Sequence, residues 1–190
     1  MSKKRRLFII PFLIIGLFLS LNLSSSNKIL KAYAQDNGAG DDFEPKVIAE
    51  YDFEDGTNQG WTPRGEVTLE VVSEAAHSGA HSLKTTNRED TWQGPSLNVK
   101  GTLEKGATYE IIGYVKLVEA PAESSTVKFS IEEKTTGGDQ DWVTVVEKEI
   151  TDTEWVEFSG QYTPNEDLNE QTLYIESSNV DDEFYIDDIS

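Results

Sequence analysis

Thr108-Tyr109-Glu110-Ile111-Ile112-Gly113-Tyr114-Val115-Lys116-Leu117-Val118 is the stretch whose reading decides the fold. Ile111, Val115 and Leu117 share one face at the period of two that a pleated strand imposes, and Tyr114 falls on the other. Working outward, runs rich in Val, Ile, Thr, Tyr and Phe recur at 47–54, 67–73, 81–86, 95–99, 126–134, 142–150, 155–163, 172–177 and 183–189. Turn residues divide them: Gly56, Gly79, Gly101, Gly106, Gly137-Gly138, Asn165 and Asp181-Asp182. No segment carries a period of 3.6. About ten short strands in about 145 residues predict an all-β, antiparallel sandwich of the jelly-roll kind.

Ahead of this lies a different kind of sequence. Lys3, Lys4, Arg5 and Arg6 precede an apolar run from Leu7 to about Leu23, broken by Pro11 and Gly16. Ala32-Tyr33-Ala34 is a small-x-small cleavage pattern, so residues 1–34 read as a signal peptide and the mature chain as secreted. The competing reading is an uncleaved membrane anchor, because the apolar run is long for a signal. Residues 35–46 read as a flexible acidic linker around Gly38-Ala39-Gly40-Asp41-Asp42, and 47–190 as one β-sandwich domain.

Removing residues 1–34 takes six basic residues and no acidic ones, leaving ten Lys and Arg against 35 Asp and Glu, a net charge of −25. Nucleic acid and anionic membrane surfaces would repel such a body, whereas a neutral polymer would not. There is no cysteine, so the domain is expected to be stabilised by packing, with a metal as a further aid. It is expected to be a monomer.

The period of two also sorts the polar and aromatic residues. Leu173 and Ile175 point to the core, which puts Tyr174 and Glu176 together outside. Val143 and Val145 point inward and Trp142 and Thr144 outward. With Tyr114, at least three aromatics are then expected on an outer sheet surface. Trp92 follows the turn-prone Asn87-Arg88-Glu89-Asp90 and precedes Gly94-Pro95, a setting that suits an exposed ring. An indole face gains apolar burial against a pyranose, and hydrogen-bonding heads suit its hydroxyl rim.

Phe53-Glu54-Asp55-Gly56, Gly60-Trp61-x-x-Arg64-Gly65, Ala76-His77-Ser78-Gly79, Ser82-Leu83-Lys84, Thr91-Trp92-x-Gly94-Pro95-Ser96, Leu173-Tyr174-Ile175-Glu176-Ser177 and Phe184-Tyr185-Ile186-Asp187-Asp188 occur in this order. In this the chain resembles carbohydrate-binding module family 22, the galactose-binding-like jelly rolls attached to family 10 endo-1,4-β-xylanases. The likeness runs from Tyr51 to the end, and its most specific parts are the two tryptophan motifs. It implies a cleft for xylan or xylo-oligosaccharide, with mixed-linkage β-glucan as an alternative. Trp92 and Tyr174 would contact sugar rings, and Arg64 and Glu176 would hydrogen-bond hydroxyls. Trp142 falls near a position usually held by tyrosine, while Trp61 is expected in the core. The resemblance also implies a structural Ca2+, with side-chain ligands Glu54 and Asp187 and carbonyl ligands around His77 and Lys84.

Two other classes remain open on sequence. A small glycoside hydrolase needs two carboxyls across a cleft, and the face pattern puts only Glu176 among the aromatics. The third possibility is an adhesion or protein-interaction sandwich. The resemblance implies that this segment is non-catalytic and a part of a longer xylanase.

Overall fold

In the computed structural model the described residues are 46–190, so the predicted signal peptide and nearly all of the predicted linker lie outside them. Ten strands follow in chain order: β1 (Thr62–Arg64), β2 (Thr68–Val72), β3 (Ser82–Thr86), β4 (Gly94–Asn98), β5 (Tyr109–Leu117), β6 (Ser125–Thr135), β7 (Gln140–Ile150), β8 (Val156–Tyr162), β9 (Leu168–Ser177) and β10 (Phe184–Asp187). They form two five-stranded antiparallel sheets, ordered β1-β4-β9-β6-β7 and β2-β3-β10-β5-β8. The all-β sandwich expected from the alternating runs is the fold observed.

Alternation builds the core. Along β5 every second residue is buried, so Ile111, Val115 and Leu117 face inward as their spacing requires. Phe129 of β6 and Phe158 of β8 stack across the two layers with centroids 4.9 Å apart. Ile131, Ile175, Phe184 and Ile186 surround them, all fully buried. Each such side chain contributes about 1.5–3 kcal/mol by leaving water.

Three boundaries depart from the sequence reading. Residues 47–54 form no strand; Tyr51 makes only an isolated bridge to Ile189. Phe53 then takes a left-handed φ of 57°, which ends extension and turns its ring into the core. Conversely, Thr62–Arg64 forms a short strand despite Pro63. It is an edge strand paired only with β4, where a missing N–H costs no ladder bond. Strand β9 begins at Leu168, four residues before the predicted start, through polar Asn169 and Glu170.

A bulge sets the outer face of β7. Phe129 pairs with Val146 while Ser130 pairs with Thr144, so Val145 is the extra residue. The phase change lets Trp142 and Thr144 on one side of it, and Glu147 on the other, all share the outer surface.

Candidate glycan-binding face

The outer surface of the first sheet carries the predicted binding residues in register. Ser96, Tyr174, Ser130 and Thr144 form one row across β4, β9, β6 and β7. Thr172, Glu132 and Trp142 form the next. Glu176 pairs with Lys128, and Arg64 stands on the edge strand opposite Gly94. Trp92 precedes β4 at the same end, 42% exposed, and Trp142 on the far edge strand is 53% exposed. They are the two exposed tryptophans among the described residues.

Trp92 owes its position to a residue that the sequence reading treated only as part of a turn. Arg88 is 8% exposed and its guanidinium donates to six backbone carbonyls. Three belong to the Trp92 loop: Gln93 at 2.9 Å, Thr91 at 2.8 Å and Asp90 at 3.5 Å. Three belong to the segment after Glu176: Ser177 at 2.8 Å, Asn179 at 2.6 Å and Asp182 at 3.2 Å. Burial pulls its pKa down, opposed by Asp182 and Glu176. No spacing rule could have singled out Arg88, since its partners are carbonyls that any residue supplies. Gly94 then allows close approach: a Cβ there would stand 1.9 Å from the Ile175 carbonyl oxygen.

Between the tryptophans, the arrangement differs from the expected one in a specific way. Tyr174 is on the predicted face, yet it is 4% exposed. The Arg64 guanidinium lies over its ring, 4.0 Å from the centroid, and 5.7 Å from the Trp92 ring. Arg64 Nη1 donates to Glu132 Oε2, and Gln140 Nε2 donates to Glu132 Oε1. A flat guanidinium on an aromatic face gains cation–π attraction as well as the ion pair. Glu132 was missed because an outward glutamate on a long strand has no distinguishing local motif. Beside Arg64 and Tyr174 the face therefore holds Glu132 as well as Glu176, the one carboxylate that alternation singled out there.

Burial raises the Glu176 carboxyl above its ordinary value, partly offset by the positive charges of Lys128 and Arg64. Ser130 Oγ donates to it at 3.5 Å. The Tyr174 phenol is likewise raised by burial, with Glu176 adding to the effect. Trp61 is 2% exposed and packs edge-on against Tyr51, so it is a core residue as expected.

Tyr114 does not join this face. Strand β5 belongs to the second sheet, so its outward side points away from Trp142 and Tyr174. There Tyr114 stacks on His77 with centroids 3.5 Å apart, and Trp155 meets His77 edge-on at 5.8 Å. Period two assigns a side of a strand, and only topology says which sheet the strand joins.

Among the residues expected to serve calcium, three converge on the 77–81 turn. Glu54 Oε1 accepts the N–H groups of Ala80 and His81, both at 2.8 Å. Asp187 Oδ2 accepts those of His77 at 2.7 Å and Ser78 at 3.1 Å. Asp187 is fully buried, and desolvation raises its pKa to about 6. Lys84 was expected to offer its carbonyl; its side chain, on the outer face of β3, donates to Glu74 at 2.7 Å. Among the described residues no three His, Asp or Glu side chains cluster as a ready metal cage. Two anionic oxygen donors gripping one turn still fit a hard cation better than any soft one, because carboxylate and carbonyl oxygens are its usual ligands.

An open sheet face carrying separated indole rings with charged and amide heads between them has the chemistry expected of a carbohydrate-binding β-sandwich. Sequence and structure comparisons agree. The family model described as a carbohydrate binding domain matches residues 45–182, and the chain belongs to that family. It is 38% identical over 143 residues to endo-1,4-beta-xylanase C of Paenibacillus barcinonensis, covering 75% of this chain. To endo-1,4-beta-xylanase A of Thermotoga maritima it is 36% identical over 148 residues, covering 76%. The chain spans only 13% and 14% of the length of those two relatives. Among solved structures, the CBM22-1 xylan-binding domain of Paenibacillus barcinonensis Xyn10C is matched at 37% identity and a TM-score of 0.71, covering 76% of this chain and 92% of that one. The expected kinship with family 22 modules holds, and the segment is a binding module rather than a catalytic domain.

Proposed function

We propose that this chain binds xylan through the first sheet's outer face and serves as the targeting module of an exported xylan-degrading enzyme. The observation that carries the reading is the pair of exposed indoles, Trp92 and Trp142, at opposite ends of a face whose middle offers Arg64, Glu132 and Glu176. From β4 to β7 the face crosses three inter-strand gaps, about 14 Å, room for about three linked pyranose rings. The matched relatives carry xylanase names and the matched solved domain is called xylan-binding, which supports the substrate class.

Xylan is uncharged along its backbone, so a strongly acidic module binds it without electrostatic penalty. Few groups engage at once and a flexible polymer must be ordered, so Kd is expected at about 1–100 μM for oligomers. A calcium ion held by Glu54 and Asp187 would brace the turn that His77 occupies and offset the burial of the Asp187 carboxylate. The test of function is retardation in affinity gels cast with xylan, barley mixed-linkage glucan and cellulose. Retention by xylan above the others supports the reading; equal mobility in all three gels overturns it.

A further inference from the structure

We infer that Glu132 is the positioning residue of the binding face: it holds the Arg64 guanidinium over Tyr174, so that the guanidinium, not the phenol ring, forms the middle of the ligand-facing surface. This rests on the first sheet's outer face being the glycan site. Tyr174 is nearly sealed, and the Arg64 guanidinium lies over its ring. Arg64 reaches this place from the edge strand β1, across β4 and β9, to an acceptor on β6. Without that acceptor a long, flexible side chain on a sheet edge would sample many rotamers and have to be ordered again on binding.

Glu132 is itself fixed. Its second oxygen accepts from Gln140 on β7, and its register neighbours are Thr172 and Trp142. One carboxylate thus links the two edge strands of the sheet, and with them the two ends of the face. A sugar arriving between the tryptophans meets a planar cation already stacked and oriented. Its remaining N–H groups can donate to hydroxyls, and its plane can support a ring. Arg64 Nε is buried with no hydrogen-bond partner, so a sugar would be met by the Nη groups, one of which also donates to Glu132.

Two readouts test this, one of them free of ligand. In 15N-resolved NMR of the full chain, the Arg64 Nε–H of the unmodified protein should show a ring-current shift from Tyr174. Glu132→Gln should remove most of that shift while the melting temperature stays within about 2 °C, as for other surface substitutions. Titration with xylohexaose should give a Kd weakened by about tenfold in Glu132→Gln, for loss of one charge-assisted contact. In an Arg64→Ala background the same substitution should change Kd by less than about twofold, because the coupling is gone. Arg64→Lys should bind as weakly as Arg64→Ala, lacking the flat fork. An unshifted Arg64 signal in the unmodified protein, wild-type affinity in Glu132→Gln, or equal Glu132 effects with and without Arg64 would each overturn the inference. Trp92→Ala serves as the control: if it binds xylohexaose as the unmodified protein does, the glycan site is misplaced, and the NMR result alone then judges Glu132.

Discussion

Replacing Trp92 by alanine removes the exposed ring beside Arg64 while touching little of the core. A tryptophan offers up to about 250 Å² for burial, and at 42% exposure roughly 100 Å² of that is open to a ligand. At about 25 cal/mol per Å² the contact is worth at most about 2.5 kcal/mol, or a ~70-fold change in Kd. Contact with a sugar is incomplete, so a loss of about 20-fold is the working expectation. Isothermal titration with xylohexaose reads it directly. The melting temperature should fall by less than about 3 °C, since the ring is largely outside the core. Affinity within twofold of the unmodified protein would refute the argument that this indole is a sugar platform.

Arg88→Leu should destabilise the domain by about 3–5 kcal/mol, because buried carbonyls lose a charged donor, and differential scanning calorimetry should show a fall of roughly 10 °C or more. Because Glu176 has a carboxyl raised by burial, its charge is lost on acidification at a higher pH than for an exposed glutamate. The folded state therefore gains relative stability from this group as pH falls through its folded pKa, while the anionic acceptor disappears. Xylohexaose affinity should accordingly weaken on acidification, starting at a higher pH than an exposed glutamate would give, and Glu176→Gln should flatten that dependence; a flat profile in the unmodified protein would count against it. Removal of calcium by EDTA should lower the melting temperature with xylan retention preserved below the transition. An EDTA-insensitive melt, with no calcium by elemental analysis, would rule out the ion.

Much of the fold was legible because each strand had one face to bury. Alternation in Tyr109–Leu117 placed its core residues correctly, and the same logic put Tyr174, Glu176 and Trp142 outside. It failed where the relevant force was not periodic. Pro63 argues against a strand unless the strand is known to be an edge, and edges belong to topology. Tyr114 has the outward phase of Tyr174 but belongs to the other sheet, so the same pattern gave the wrong neighbours. Arg88 and Glu132 act through long-range contacts, to backbone carbonyls and to an arginine 68 positions away, that no local spacing encodes. The covering of Tyr174 follows from those contacts, which is why a face pattern located the ring but not its exposure.

The most direct measurement is a crystal structure with xylohexaose. An oligosaccharide is expected to lie across the strands of the first sheet from Trp92 to Trp142, above Arg64, with Tyr174 still covered. A ligand seated instead on the second sheet, beside Trp155 and His77, would contradict it.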